Sequence, residues 1–355
     1  MSSSLGLYYF DRQTERFTHR FQHDETNPDS LNDNIVVSVY RDRAGLLWVG
    51  TENGGLNLLN FQQEQFGAYR HDPANPNSLA SGRVSAIYQD PDGIVWVGYS
   101  PRALDRFDRS TGQITHYVPD PESDNTIGEG YDLNSIYKDT RGYVWLGGWG
   151  GRLVRFDERS GQFTHYQPDP DDPNSLIIDA ILDIYEDRSG NLWVGQFGGI
   201  SRFDPTTEQF TNYTPDPDDP TSLESGSVRV IYQDHSGMLW MGTWEGVLSR
   251  FDDKTNTFVN YTPDSSDPNS LNGGLIYTIH EDRTGTLWVG ASDGLYRYHR
   301  EHETFTRYTE NQGLPSSSIL GILGDDSGRL WISTKKGVSR FDPQTETFRN
   351  YDASD

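Results

Sequence analysis

The side chains that could do chemistry in this sequence are few and far apart. The 355 residues include nine histidines and no cysteine, so cysteine nucleophiles and thiolate metal sites are excluded. There is no Gly-x-Ser-x-Gly nucleophile turn, no His-Glu-x-x-His zinc pair and no phosphate-binding glycine loop. His280, His299 and His302 fall in one stretch, but the strand pattern described below predicts that they lie apart. We therefore expect no metal site and no cofactor.

One pairing suggests proton transfer. Tyr99 and Arg102 are three positions apart in a predicted turn, and a tyrosine beside a guanidinium could serve a polysaccharide lyase if both faced a cleft. A carbohydrate-active enzyme of this type is an alternative function. No other catalytic arrangement is found, so the sequence favours a protein that is not an enzyme.

The tryptophans give a stronger signal, because seven of them recur in one motif, Asp-x-x-Gly-x-(Leu/Val)-Trp. Successive copies lie 43 to 49 residues apart, a period typical of a four-stranded propeller blade. A residue that every copy repeats serves the framework, so we predict that these side chains pack between neighbouring blades. They are Trp48, Trp96, Trp145, Trp193, Trp240, Trp288 and Trp331.

The fourth copy indicates how one repeat folds. Residues 181–187 are rich in branched and aromatic side chains, and the sequence Asp-Arg-Ser-Gly that follows favours a turn. Further short strands are predicted at 191–195, 199–204 and 209–213, which makes an antiparallel meander. The predicted fold class is all-β, a single seven-bladed β-propeller of four-stranded antiparallel blades.

The two ends of the sequence are out of phase. Residues 6–11 and 16–20 match the third and fourth strands of a blade, with no first or second strand before them. We predict a half-blade over 1–31, and an eight-bladed propeller with an incomplete last blade is the alternative. One propeller domain would span 1–355, with blades at about 32–79, 80–128, 129–176, 177–223, 224–271, 272–315 and 316–355.

The chain is strongly acidic. It has 29 Lys and Arg against 53 Asp and Glu, a net charge of -24, which argues against binding to nucleic acid. No run approaches the ~18 apolar residues of a membrane span, and the first residues do not form a signal peptide. Acidic connectors such as 168–176 lack the ordered spacing of a calcium loop, and their calcium binding stays open.

The copies resemble a known repeat. Residues 184–195, Ile-Tyr-Glu-Asp-Arg-Ser-Gly-Asn-Leu-Trp-Val-Gly, and the Gly-Gly-Ile-Ser-Arg-Phe-Asp of 198–204 are similar to the two-component regulator propeller repeat. The resemblance covers essentially the whole chain. It implies the extracytoplasmic sensor part of a hybrid histidine kinase, in a family of which many members are thought to detect oligosaccharides.

The resemblance also implies partners and a location. Family members usually carry two seven-bladed propellers before an immunoglobulin-like domain, a membrane span and a kinase, so further propeller or signalling domains are possible partners. A periplasmic or extracytoplasmic location follows from the same resemblance. Because this sequence has about half the usual repeats and no span or kinase, a fragment of a receptor and a free-standing or engineered propeller both stay open.

A ligand site is sought where the copies differ. The turns between the second and third strands are expected to surround the mouth of the central channel, and there the residues vary. Aromatic rings at this mouth suit sugar stacking, and the cations could orient a carboxylate or sulfate. The predicted ligand-binding residues are Tyr99, Arg102, Trp149, Phe197, Trp244, Glu245, Asp293, Lys335 and Lys336. The variable starts of the first strands add Arg83, Asp132, Asp179, Arg229 and Tyr277 nearby.

The sequence therefore predicts a non-catalytic, ligand-binding sensor propeller, with an oligosaccharide or other small molecule as its partner. A propeller-based enzyme is the first alternative. A protein-interaction or engineered scaffold is the second, and it would require an apolar patch that the sequence does not clearly show.

Overall fold

The computed structural model describes residues 2–3, 6–12, 14–43, 45–60, 65–130, 132–150, 152–177 and 180–351. Its strands form seven four-stranded antiparallel sheets and one three-stranded sheet. In each four-stranded sheet the strands are neighbours in chain order, which is the meander of a propeller blade. The predicted fold class, an all-β seven-bladed β-propeller, is confirmed.

The chain divides into two compact units. The first comprises residues 1–167 with 179–184. It holds β1 (Ser2–Ser3), β2 (Gly6–Asp11) and β3 (Arg16–Phe21). Blade 1 is β4 (Val36–Arg41), β5 (Leu47–Thr51), β6 (Gly55–Asn60) and β7 (Gln65–Tyr69). Blade 2 is β8 (Arg83–Gln89), β9 (Val95–Ser100), β10 (Ala103–Asp108) and β11 (Gln113–Tyr117). Blade 3 is β12 (Ser135–Lys138), β13 (Val144–Gly147), β14 (Leu153–Asp157) and β15 (Gln162–Tyr166).

The second unit comprises residues 168–178 with 185–355. Blade 4 is β16 (Ile181–Glu186), of which 181–184 belong to the first unit, followed by β17 (Leu192–Gln196), β18 (Gly199–Asp204) and β19 (Gln209–Tyr213). Blade 5 is β20 (Val228–Gln233), β21 (Leu239–Thr243), β22 (Leu248–Asp252) and β23 (Thr257–Tyr261). Blade 6 is β24 (Ile276–Glu281), β25 (Leu287–Ala291), β26 (Gly294–His299) and β27 (Thr304–Tyr308). Blade 7 is β28 (Ile319–Gly324), β29 (Leu330–Thr334), β30 (Gly337–Asp342) and β31 (Thr347–Tyr351), after a 3-10 helix at Glu310–Gln312.

The N-terminal sheet differs from the predicted half-blade. Its two expected strands are present as β2 and β3, but the two-residue β1 pairs with β2 in the place of a second strand. This sheet packs on blade 1, where the rings of Phe21 and Phe66 meet edge to face with centroids 5.2 Å apart. Leu7 and Leu59 belong to the same apolar cluster. The segment therefore adds core to the first unit.

One hydrogen-bonded turn is repeated in every blade. In blade 4, Asp187 Oδ1 accepts the backbone N–H groups of Ser189 and Asn191, both at 2.9 Å. Its other oxygen accepts the indole N–H of Trp193 at 2.9 Å. Gly190 supplies the positive φ of +82° that the turn requires. The same carboxylate-to-indole bond joins Asp42 to Trp48, Asp90 to Trp96, Asp139 to Trp145, Asp234 to Trp240, Asp282 to Trp288 and Asp325 to Trp331.

Motif tryptophans lie between blades, as predicted, at the positions where each contacts an aromatic ring of the next blade: Trp48, Trp96, Trp193, Trp240 and Trp288. Trp240 stacks on Tyr261 of its own blade, with centroids 6.1 Å apart and the planes at 22°. Tyr298 of blade 6 then meets the indole edge to face at 5.2 Å and 69°. Six of the seven tryptophans are at most 1% exposed, whereas Trp331 is half-buried and stacks on Tyr351. Aromatic contacts of this kind are part of the apolar burial of the chain, together with many buried Leu, Ile and Val side chains.

Several of the repeated carboxylates also receive a cation from the following blade. The Lys138 ammonium lies 2.8 Å from Asp90, and the Arg300 guanidinium lies 2.9 Å from Asp234. Arg109 pairs with Asp42 in the same way. A buried carboxylate without a cationic partner destabilises the fold. Here the partner comes from the next blade, so the ion pair crosses the boundary between two blades. Among the described residues, no helix is long and apolar enough to cross a membrane.

Replacing Trp193 by Ala should lower the free energy of unfolding by about 3 to 5 kcal/mol, because it empties a filled interblade site. The same change at the half-buried Trp331 should cost less. Chemical denaturation of both variants checks the difference. Equal losses would contradict a role for burial depth at these positions.

Asp325 should make the fold sensitive to acid. Burial opposes its ionisation, but hydrogen bonds from Ser327, Trp331 and the Arg329 backbone outweigh that effect and lower its pKa to about 2. Because the folded pKa is below the unfolded value, the carboxylate stabilises the fold above about pH 4, and this contribution is lost as the pH falls towards 2. In denaturation curves between pH 5 and 2, Asp325→Asn should show a weaker dependence on pH than the parent chain. Parallel curves would disprove the assignment.

Candidate functional site

Tyr99 and Arg102 are not surface residues, which corrects their predicted place at an open mouth. Tyr99 is the second-last residue of β9 and is 0% exposed, and Arg102 in the next turn is 3% exposed. The Tyr99 ring faces inward, because it belongs to the apolar cluster between blades 1 and 2. The pair cannot reach a substrate, and the enzyme hypothesis loses its nominated residues.

Tyr99 belongs to a buried polar network instead. Its hydroxyl donates to Asp105 Oδ2 at 2.7 Å, and the same oxygen accepts the Ala80 N–H at 2.8 Å. The other oxygen of Asp105 lies 2.6 Å from His116 Nδ1. Burial, and then the nearby Asp105 charge, raise the pKa of Tyr99 well above its ordinary value. The tyrosine therefore stays protonated and acts as a structural donor.

The position of Asp105 and His116 is one where the blades differ. In blades 4, 5 and 7 it holds a serine that donates to an asparagine on the next strand, each at 2.7 Å. That asparagine in turn donates to a carbonyl of the connector, as Asn260 does to Ser222 O at 2.7 Å. The pair therefore ties each connector to its blade. Sequence reasoning missed this role, although the recurring Ser and Asn spacing signals it.

Trp149 is exposed, as predicted. It follows β13, its side chain is 38% exposed, and its backbone N–H donates to Asp132 Oδ1 at 2.9 Å. The carboxylate thus fixes the turn that presents the indole. Arg83 pairs with Glu52 at 3.5 Å on the first unit. Asp179 lies outside the described residues.

In the second unit, predicted residues from three blades meet. Phe197 after β17 and Trp244 after β21 are in edge-to-face contact, with centroids 5.5 Å apart. The guanidinium of Arg229 lies 5.8 Å from the Trp244 ring and 5.2 Å from the Tyr277 ring. We call these four residues, Phe197, Trp244, Arg229 and Tyr277, the Trp244 surface. Trp244 is 36% exposed, and the other three are half-buried.

The turn that carries Trp244 is rigidly held. Thr243, fully buried, accepts the Val247 N–H at 3.0 Å, and Trp244 N–H donates to Ser227 O at 3.2 Å. Gly246 has a φ of +81°, and a Cβ there would lie 2.7 Å from the Gly273 backbone. The indole is therefore presented in one position, which lowers the entropic cost of binding.

Glu245 lies beside Trp244 and is exposed. Its two carboxylate oxygens accept the hydroxyl groups of Ser225 at 2.5 Å and Ser227 at 2.8 Å. These bonds orient an acceptor next to the aromatic rings. A carboxylate so placed can accept hydrogen bonds from the hydroxyl groups of a ligand.

The other predicted ligand-binding residues of the second unit, Asp293, Lys335 and Lys336, are less closely grouped. Asp293 is half-buried, accepts the Tyr296 hydroxyl at 2.9 Å and lies 3.3 Å from Arg307. Burial, and then the charge of Asp293, raise the pKa of Tyr296 above its ordinary value. Lys335 and Lys336 are exposed on the turn after β29. Over the part of the chain that the structure describes, no group of three or more His, Asp or Glu is placed to hold a metal ion.

Sequence comparison identifies the repeats. The family model described as "Two component regulator propeller" matches residues 30–53, 78–100, 175–198, 222–245, 270–293 and 313–336. The chain carries two component regulator propeller repeats. The third copy, in blade 3, is not among the matched segments, and no curated protein matches the sequence.

Solved structures with similar folds include other propeller-repeat and propeller proteins. PorZ, a surface component of the type-IX secretion system of Porphyromonas gingivalis, is 20% identical with a TM-score of 0.59, over 87% of this chain and 46% of its own. Catalytically inactive virginiamycin B lyase from Staphylococcus aureus with quinupristin is 15% identical with a TM-score of 0.57, over 84% of this chain and 92% of its own. These likenesses support the propeller fold alone.

A third similar structure is the extracellular domain assigned to the hybrid two component system BT3049 from B. thetaiotaomicron. It is 19% identical with a TM-score of 0.49, over 99% of this chain and 62% of its own. The propeller repeats described here therefore span less than two thirds of that domain.

Replacing Tyr99 by Phe should lower the free energy of unfolding by about 1 to 3 kcal/mol, because buried Asp105 loses a donor. Binding of any ligand at the Trp244 surface should be unchanged. Urea denaturation and calorimetric titration measure the two effects. Loss of ligand binding at unchanged stability would show that Tyr99 reaches the ligand after all.

Proposed function

We propose that this chain is a non-catalytic, ligand-binding sensor domain of a two-component receptor located outside the cytoplasm. Its ligand is an oligosaccharide or a similar small polar molecule, bound at the Trp244 surface. The propeller repeats support the sensor role, because the family takes its name from two-component regulators. Asp293, Lys335 and Lys336, which belong to the same unit, are proposed as additional contacts, and Trp149 of the first unit is proposed as a ligand-binding residue in its own right.

The observation that carries the proposal is the exposed Trp244 ring, held on two sides by Phe197 and Arg229. An indole face is apolar and flat, so it can cover the C–H face of a pyranose ring. Arg229 packs against the indole, and its guanidinium N–H groups can donate hydrogen bonds to a ligand. The Glu245 carboxylate offers an acceptor. Donor, acceptor and stacking face together are what a sugar requires.

The same surface supports binding without turnover. Its members are a phenylalanine, a tryptophan, an arginine and a tyrosine, with Glu245 already engaged by two serine hydroxyls. A glycosidase requires a pair of carboxyl groups on either side of the scissile bond. The Trp244 surface contributes one carboxylate neighbour, so the proposal is a binding site.

Trp244→Ala should abolish oligosaccharide binding and leave the melting temperature nearly unchanged, because the indole is exposed and its removal empties no core site. Trp149→Ala tests the first unit separately, and it should also lower oligosaccharide binding and leave the melting temperature nearly unchanged. A glycan array on the parent chain selects the ligand, and calorimetric titration of the variants measures its loss.

The control is Val118→Ala, which removes exposed apolar area elsewhere; Val118 is 52% exposed. This variant should bind as the parent chain does. A large fall in the melting temperature of Trp244→Ala would place the indole in the core, and turnover of the selected glycan would replace the sensor proposal with an enzyme.

A further inference from the structure

The first unit contains a cavity that the proposed function does not use. Its volume is about 660 Å³, within the range of small-molecule sites. One side is the connector that leads from blade 2 to blade 3, and the other side is formed by Gly150, Arg152 and His165 of blade 3. The connector residues that line it are Pro119, Asp120, Pro121, Ser123, Asp124, Thr126, Gly128 and Glu129.

The cavity lies where blade 3 departs from its neighbours. Blade 3 pairs Val154 with His165 at the position where blades 4, 5 and 7 carry the Ser and Asn pair that ties the connector down. Valine has no hydroxyl, and the imidazole takes the place of the asparagine amide. This is also the copy that the family model does not match. Blade 3 therefore lacks the hydroxyl-to-amide hydrogen bond at the wall of the cavity.

A buried guanidinium stands behind that wall. Arg102 is 3% exposed, and its Nη2 donates to the carbonyl of Arg152 at 3.2 Å. Its Nε and Nη1 have no acceptor among the described residues. Burial lowers the pKa of Arg102 to about 10, while the neighbouring Asp132 charge acts in the opposite direction. The group is therefore still charged at neutral pH, and a buried charge with unused donors requires a partner.

The neighbouring histidine does not add to this charge. Burial, and then the charges of Arg152 and Arg102, lower the pKa of His165, so the imidazole is neutral at pH 7. A Cβ at position 128 would lie only 2.9 Å from the Cε1 of His165, so Gly128 leaves room for the imidazole ring. The exposed Arg152 is then the cation that lines the cavity, and the buried Arg102 lies behind it, hydrogen-bonded to the Arg152 carbonyl.

We propose that the cavity binds a small hydroxylated monocarboxylate, with its carboxylate against Arg152 and its charge balancing the buried Arg102. A guanidinium and a carboxylate form strong charge-assisted hydrogen bonds. The opposite side carries Asp120, Asp124 and Glu129, which accept hydrogen bonds from hydroxyl groups and repel anions of higher charge. That combination selects one negative charge on a polyhydroxy skeleton.

Gluconate and sorbitol test this, since they share a carbon skeleton and differ in the carboxylate. Calorimetric titration of the full chain should show saturable binding of gluconate and none of sorbitol. Arg152→Gln should weaken gluconate binding by about 10-fold or more, as expected for a hydrogen bond to a charged group. Arg102→Met should weaken it similarly and leave the melting temperature equal or higher, because it removes a buried charge without full partners.

Arg159→Gln is the matched control, because it removes the same charge from an exposed turn of the same blade and should bind gluconate as the parent does. Trp244→Ala should also leave gluconate binding intact, so this result is independent of the proposed function. Equal binding of sorbitol, equal binding of inorganic phosphate, no binding of gluconate, or unchanged binding in Arg152→Gln would each overturn the proposal. If Arg102→Met does not fold, the exposed Arg152 still decides the outcome.

Discussion

The hydrogen bond from each motif aspartate to the tryptophan six residues later is the interaction on which the rest of the structure depends. One carboxylate closes the turn between the first two strands and also fixes the indole that the next blade packs against. The turn of one blade and its contact with the next are therefore coupled through a single buried charge. Low local dielectric strengthens such bonds and makes their loss costly.

The cations of the following blades extend this coupling. Lys138 reaches Asp90 and also lies 2.7 Å from Glu158 of its own blade. Arg300 bridges Asp234 and Glu281 in the same manner. A chain with a net charge of -24 thus places part of its limited supply of cations where carboxylates are buried. The framework is held by aromatic contacts and by charges that are satisfied within each unit.

This division leaves the turns after the second strands free to vary. The framework needs the same aspartate, glycine and tryptophan in every copy, so the residues beyond them carry little structural constraint. Trp149 and Trp244, four residues after the motif tryptophan, are exposed, whereas Tyr99, three residues after it, is buried as Thr51, Gln196 and Thr243 are. The position in the repeat therefore identifies where a ligand residue can occur.

The sequence by itself determined the fold class, the strands of the fourth copy to within about one residue, and the interblade place of the tryptophans. A motif repeated seven times has one period and one pattern of alternation, and local propensity and burial agree in every copy. The same spacing is compatible with the hydrogen bond between the motif aspartate and the indole. The turn sequence alone, however, does not show whether the second carboxylate oxygen faces the tryptophan.

Only the tertiary structure decided which variable side chains are buried and which meet. Tyr99 turned inward because Asp105, one strand away, accepts its hydroxyl, and Trp244 joined Phe197 and Arg229 because adjacent blades bring their turns together. The cavity beside Arg152 lies where Val154 and His165 stand in place of the Ser and Asn pair of blades 4, 5 and 7. The contact of Trp244 with Phe197 joins two different blades, and a repeat pattern read along one strand contains no information about its partner in the next blade.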